Sequence, residues 1–224
     1  MTAHIDSLPL NKNAGHSVGD ILSGVWQEFS ESVHGIGLGR YQSREETRSV
    51  LSHNMTLLHK LLLGSPEYRK LVDSRYRMLT RNKYWGWKSV HNDDQLTIGV
   101  FSLYRNAPIP LHDHPGTQGV IMVLEGELEL ERFTLPARYR DDNRSGMVEL
   151  NRCSRQTLSA FDVAWFQAVE GNVQGLRALS EQSVLLKVQL PGICTGERSW
   201  YFPVHGVDDR ENSIPARRII SRYL

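Results

Sequence analysis

The hydrophobic period of this chain changes once, near Tyr84, and that change limits the folds open to it. Before it, apolar residues recur at intervals of three and four. Val18, Ile21, Leu22, Val25, Trp26, Phe29 and Val33 make one stripe. Val50, Leu51, Leu58, Leu61 and Leu62 make a second, and Tyr68, Leu71, Val72, Tyr76 and Leu79 a third. Such spacing predicts amphipathic helices. The punctuation agrees: Gly35, Gly37 and Gly39 end the first, Ser43 with Glu46 forms a capping box for the second, and Gly64 suits its C-cap. Ser65 and Pro66 then read as N-cap and N1 of the third.

After Tyr84 the period falls to two. YWGWKSV, a turn at HNDD, and QLTIGVFSL predict strand, turn, strand. VIMVLEGELELERF follows with a turn at Glu125 and Gly126; beyond it Glu127, Glu129 and Glu131 are expected on a wet face, Leu128 and Leu130 on a buried one. ARYRDDNRSG reads as a polar loop, and FDVAWFQ, GLRALSE and SVLLKVQL as further short strands or turns. Many short strands at close spacing predict a β-sandwich or barrel. The expected layout is an N-terminal tail (1–16), a helical segment (17–82), a β-barrel (83–206) and a C-terminal tail (207–224). In that tail, RENSIPARRIISRYL reads as a mildly basic solvated stretch or a terminal helix.

At 224 residues the chain can bury a good core. Its net charge of +1 gives no field to draw nucleic acid or an anionic membrane. No apolar run approaches a membrane span, and MTAHIDSLPLNKNAG lacks the pattern of a secretory leader. Cys153 and Cys194 are the only cysteines, which predicts two reduced thiols in a cytoplasm. The helical stripes are expected to cover the barrel or to pair subunits in a homo-oligomer.

PLHDHPGTQG is the stretch with chemistry in it. His112 and His114, at i and i+2, point to one face of an extended chain. Two imidazoles from one strand can hold a metal ion, although such a pair alone is weak. The setting resembles the first motif of the cupin barrels, with Gln118 at the later acid-or-amide position and Gly126 at the glycine turn. More narrowly, QLTIGVFSLYRNAPIPLHDHPGTQGVIMVLEGELELERF resembles the thiol dioxygenases of the cysteamine dioxygenase and plant cysteine oxidase type. GNVQGLRALSEQSVLLKVQLPG and RSWYFP are similar to that family's second half, so the likeness spans about residues 84–203. It implies a jelly-roll-like cupin barrel that holds Fe(II) with three neutral histidines and uses O2 to oxidise a small thiol to its sulfinate. Three facial imidazoles leave open positions for a thiolate and for O2.

This chain departs from the family at several places. The third histidine's position holds Gln174, whose carbonyl oxygen is a weaker partner for iron(II) than imidazole and which could instead simply hydrogen-bond within the barrel. Where the family carries an acid that faces a substrate amine, Lys187 stands. Alternation puts Leu185, Lys187 and Gln189 on one face of their strand; Val184, Leu186 and Val188 make the better core face. Lys187 is therefore expected on the more polar side, lining the pocket, with an exposed edge-strand lysine as the alternative. Pro191, Gly192 and Ile193 replace a proline pair and tyrosine, and Trp200 and Tyr201 follow Arg198, so no cysteine–tyrosine crosslink is expected. Tyr201 is a candidate for the pocket wall. His205 lies beyond the aligned strand.

These residues predict a thiol dioxygenase with metal residues His112, His114 and Gln174, and with Lys187 positioning a thiol that bears an acid group. Two other readings stay open. One is a non-catalytic cupin that binds a small acid or acts as a sensor. The other is a cupin lyase or isomerase on another divalent metal, with Gln118 or Gln174 as an oxygen ligand.

Overall fold

The computed structural model describes residues 44–63, 85–92, 97–105, 107–140, 144–166, 172–190, 197–204 and 212–221. The first and third predicted helices, Cys194, His205 and residues 191–193 lie outside these. Helix α1 spans Arg44–Leu63, starting just after Ser43 and ending just before Gly64. Glu45 and Glu46 lie in its first turn and Lys60 in its last, the order that the helix dipole favours. It packs on β4 and β7 and buries Met55 and Leu58. Among the described residues no helix is long and apolar enough to cross a membrane.

Among the described residues eleven strands follow: β1 Trp85–Asn92, β2 Thr97–Tyr104, β3 Ile109–His112, β4 Gln118–Glu125, β5 Leu128–Thr134, β6 Gly146–Leu158, β7 Val163–Phe166, β8 Val173–Ala178, β9 Gln182–Leu190, β10 Arg198–Pro203 and β11 Ser213–Ser221. A four-residue helix, α2, occupies Ala137–Arg140 inside the predicted polar loop. One sheet has the order β1-β2-β9-β4-β7; the other strands close a barrel in the order β10-β11-β6-β5-β8-β3. The fold is mainly β with a helix N-terminal to it, a cupin barrel as the resemblance implies.

The turn at Glu125 and Gly126 is a corner between layers. β4 pairs with β7 and β9, whereas β5 pairs with β6 and β8. Gly126 adopts a φ of 78°, which L side chains rarely take. The layers enclose one core of Leu103, Ile121, Leu128, Leu130, Leu176 and Leu185, with others. A second core, with Leu111, Phe133, Leu150, Val173, Tyr201 and Ile214, lies among the barrel strands.

One expectation is corrected here. Residues Ser213–Ser221 are not a tail: β11 pairs with β10 on one side and β6 on the other, and so closes the barrel. Ile214, Ala216 and Arg218 are buried. Along β5 the expected alternation holds: Leu128 and Leu130 are buried, and the glutamates take the other face, with Glu127 just before the strand exposed. The Glu129 and Glu131 side chains are 12% and 20% exposed. Glu129 accepts hydrogen bonds from Arg155 and Arg177, each at 2.8 Å, and these satisfy a carboxylate that has lost most of its water.

Candidate functional site

The site lies where β3 meets β8 and β10, at one end of the inter-layer core. His112 ends β3 and pairs with Gln174 of β8 on one side and Trp200 of β10 on the other. His114 follows just beyond the strand. The two imidazoles lie 4.8 Å apart, centre to centre, nearly perpendicular. Both are buried, as is Gln174. Gln118, the first residue of β4, is exposed.

Asp113, between the histidines, faces the other way. Its carboxylate accepts hydrogen bonds from the Ser199 amide at 2.7 Å and the Tyr201 hydroxyl at 2.9 Å. Ser199 in turn accepts one from Arg218 at 3.0 Å, and Arg218 also donates to the Tyr139 carbonyl. Burial raises the Asp113 pKa, and the bonds from Ser199 and Tyr201 and the Arg218 charge oppose that shift. This network pins the H-x-H segment to β10 and β11. It also corrects the placement of Tyr201. Alternation along β10 turns Tyr201 into the barrel core and Trp200 toward the histidines, with ring centres 5.1 Å apart for Trp200 and His112. Tyr201 borders a separate cleft of about 320 Å³, lined also by Leu111, Glu129 and Arg177, which none of the predicted metal residues enters.

Lys187 is at the site. β9 is buried on both faces, so the division into a core face and a polar face does not hold: Val184, Leu186 and Val188 are buried, and so are Leu185, Lys187 and Gln189. The Lys187 ammonium lies 3.3 Å from His114 Nε2 and 5.0 Å from the centre of the Phe166 ring, within cation–π range. Phe166 also packs on His114, at 5.0 Å. Its ring reaches over Gly119, where an added Cβ would lie 2.6 Å from it.

Arg198, which the sequence reading left without a role, sits 3.5 Å from the other ring nitrogen of His114. Each nitrogen of this imidazole thus faces a cationic donor, whereas a neutral imidazole accepts at only one. Burial lowers the pKa of His114 well below the usual value, and the Lys187 charge lowers it further. The same two causes bring His112 down to about 3, against a hydrogen bond to the Pro110 carbonyl.

Do these groups suit a divalent metal? Both imidazoles are held neutral, the form that ligates. His112 Nδ1 lies 2.9 Å from the Pro110 carbonyl, which can only accept. That contact keeps the proton on Nδ1 and leaves the Nε2 lone pair available, a common support for a metal-ligating histidine. Gln174 adds an amide across the strand pair. Neutral imidazoles and an amide oxygen are donor types that a divalent cation accepts, while at His114 the Lys187 ammonium lies 3.3 Å from Nε2. Among the described residues no group of three His, Cys, Asp or Glu side chains could hold a metal, so the third donor would have to be of another kind. Beside His112, the buried Trp200 indole nitrogen is among the polar atoms that have no hydrogen-bond partner.

The family model PCO_ADO matches residues 68–191, more than half of the chain. Among solved structures, the chain is similar to a conserved protein with a double-stranded β-helix domain from Klebsiella pneumoniae (21% identity, TM-score 0.37, covering 50% of this chain and 82% of that one). It is similar also to KdgF from Halomonas sp. (19% identity, TM-score 0.36, 48% and 80% covered) and to a cupin superfamily protein from Desulfitobacterium hafniense (14% identity, TM-score 0.34, 47% and 76% covered). No curated protein matches the chain.

Proposed function

The chain belongs to the PCO_ADO family, the plant cysteine oxidase and cysteamine dioxygenase family, and from that premise we propose that it oxidises a small thiol bearing a carboxylate. The family implies thiol dioxygenase activity in general. The observation that carries the narrower reading is the buried Lys187 ammonium, 3.3 Å from His114 Nε2, where the family's pattern has an acid. A cation there repels a substrate amine and attracts a carboxylate through a charge-assisted hydrogen bond. Trp200 supports the same class, because its buried N–H lacks an acceptor and a carboxylate or sulfinate oxygen is one.

The roles divide by layer. His112, His114 and Gln174 would hold iron(II), as the family's cofactor. Iron, when bound, supplies positions at which thiolate and O2 meet. Lys187 holds the substrate's acid end, and the rings of Phe166 and Trp200 keep water from the thiol. Overall, RSH and O2 give RSO2H, with both oxygen atoms entering the sulfinate. The location implied by two reduced thiols is cytoplasmic; of these, Cys153 is a free, exposed thiol.

The test loads the protein anaerobically with iron(II), admits O2, and follows O2 uptake and sulfinate by mass spectrometry. Mercaptopropionate should be the better substrate and cysteamine the poorer. A faster reaction with cysteamine overturns the acid reading, and no sulfinate from either thiol overturns oxidation. The two cations facing His114 also support a second reading, a cupin that binds a small acid without metal. Protein that binds mercaptopropionate but loses its iron on desalting would favour it.

A further inference from the structure

We propose that Lys187 is a displaceable cation seated on His114 Nε2, so that metal binding and binding of an acid-bearing thiol are coupled through this one side chain. The inference rests on the substrate reading above and adds a regulation of the same site. His114 has one ring lone pair when neutral. With the proton on Nδ1, the Nε2 lone pair accepts from the Lys187 ammonium at 3.3 Å. A divalent cation ligated at Nε2 needs the same lone pair. The two cations also repel each other at such close range. His114 therefore serves Lys187 or a metal, never both.

Arg198 does not choose between those two states. It faces Nδ1 at 3.5 Å, and Nδ1 carries the proton in each of them. Its effect is to make the Lys187 contact replaceable. With the proton on Nε2 instead, His114 accepts from Arg198, and the bond to Lys187 is lost. Phe166 at 5.0 Å and Phe101 at 6.0 Å from the ammonium give it an aromatic seat. The lysine stem is flexible enough to leave His114. A carboxylate entering the pocket offers the ammonium a stronger, charged partner than a neutral imidazole. Drawing Lys187 to that carboxylate frees Nε2, so the acid end of the substrate opens the metal position. By reciprocity, bound metal raises affinity for the acid by the same factor.

The experiment measures metal affinity without O2, by competition of cobalt(II) or iron(II) against a chromophoric chelator. It uses the full chain and the variant Lys187→Met, which keeps a similar unbranched stem. Lys187→Gln serves as a second neutral variant should the first not fold. Each is titrated alone, with mercaptopropionate, and with its methyl ester, which keeps the thiol and loses the charge. The neutral variant should bind metal at least tenfold more tightly than wild type in the absence of thiol. In wild type the free acid should tighten metal binding more than the ester does, and in the variant that difference should vanish. Equal or weaker metal binding by the neutral variants overturns the proposal, as does an acid-over-ester difference that survives removal of Lys187. These affinities do not depend on turnover, so the coupling and the oxidation can fail separately.

Discussion

At the scale of single residues, the site joins two kinds of demand on one short segment. His112 and His114 must stay neutral and aimed into the inter-layer end, while Asp113 between them must point away and be satisfied. The strand alternation achieves both, with Ser199 and Tyr201 receiving the carboxylate. Neutral buried histidines carry a pH signature. Above pH about 6.5 neither the folded nor the unfolded chain protonates them, so they add no slope. Below it, the unfolded chain takes up a proton that the folded chain refuses until about pH 3 at His112, and stability falls as pH falls. The loss approaches about 1.4 kcal/mol per pH unit for the ring. Asp113 and Glu131, both raised by burial, slope the opposite way, but they cancel in a comparison of wild type with His112→Asn. Urea unfolding in chelator should show the wild-type advantage shrinking by about 1.5 kcal/mol between pH 6.5 and pH 5. A constant advantage would mean that the folded ring takes its proton at the ordinary pKa.

At the scale of elements, β11 shows where sequence reasoning stops. Its residues SIPARRIIS hold a proline and two arginines, and nothing local says that Ile214, Ala216 and Arg218 face inward. The inward face becomes meaningful only beside β6 and β10, with Ser199 and the Tyr139 carbonyl there to serve Arg218. Removing the Ile214 side chain beyond Cβ leaves a void among Leu150, Phe133 and Val148, so Ile214→Ala should cost about 2 to 5 kcal/mol by denaturant titration. A cost near zero would mean that β11 is dispensable to the barrel. Strands β1, β2, β4 and β5 were legible because each alternates or forms a bounded apolar run between turn residues. Their partners were not. Glu125 and Gly126 look like a hairpin turn, yet the chain changes layers there, and hydrogen-bond pairing across long separations leaves no local mark. The histidine pair and Lys187 were legible as chemistry. Arg198 and Trp200 reach the same place only because β10 pairs with β3.

At the scale of the whole molecule, the site and the core share one construction. His112, Gln174 and Trp200 come from the barrel, whereas Lys187 and Phe166 come from the five-stranded sheet. The core between the layers is drawn the same way, with Leu128, Leu130 and Leu176 from the barrel set against Ile121, Leu185 and Phe166 from the sheet. Neither layer can keep its apolar face dry without the other, so both should unfold in one step. Tryptophan fluorescence and far-UV circular dichroism should give the same transition. A ligand bridging Lys187 and the histidines binds only when both layers are in place, and it should move both signals together. At roughly a hundredfold excess over Kd the shift is about 2.7 kcal/mol. Mercaptopropionate should produce it in metal-loaded protein, and its methyl ester a smaller one, because the ester gives Lys187 no charged partner. Fluorescence and circular dichroism that separate on adding the acid would mean that the ligand holds one layer alone, and that the cation of β9 and the histidines of the barrel do not share a ligand.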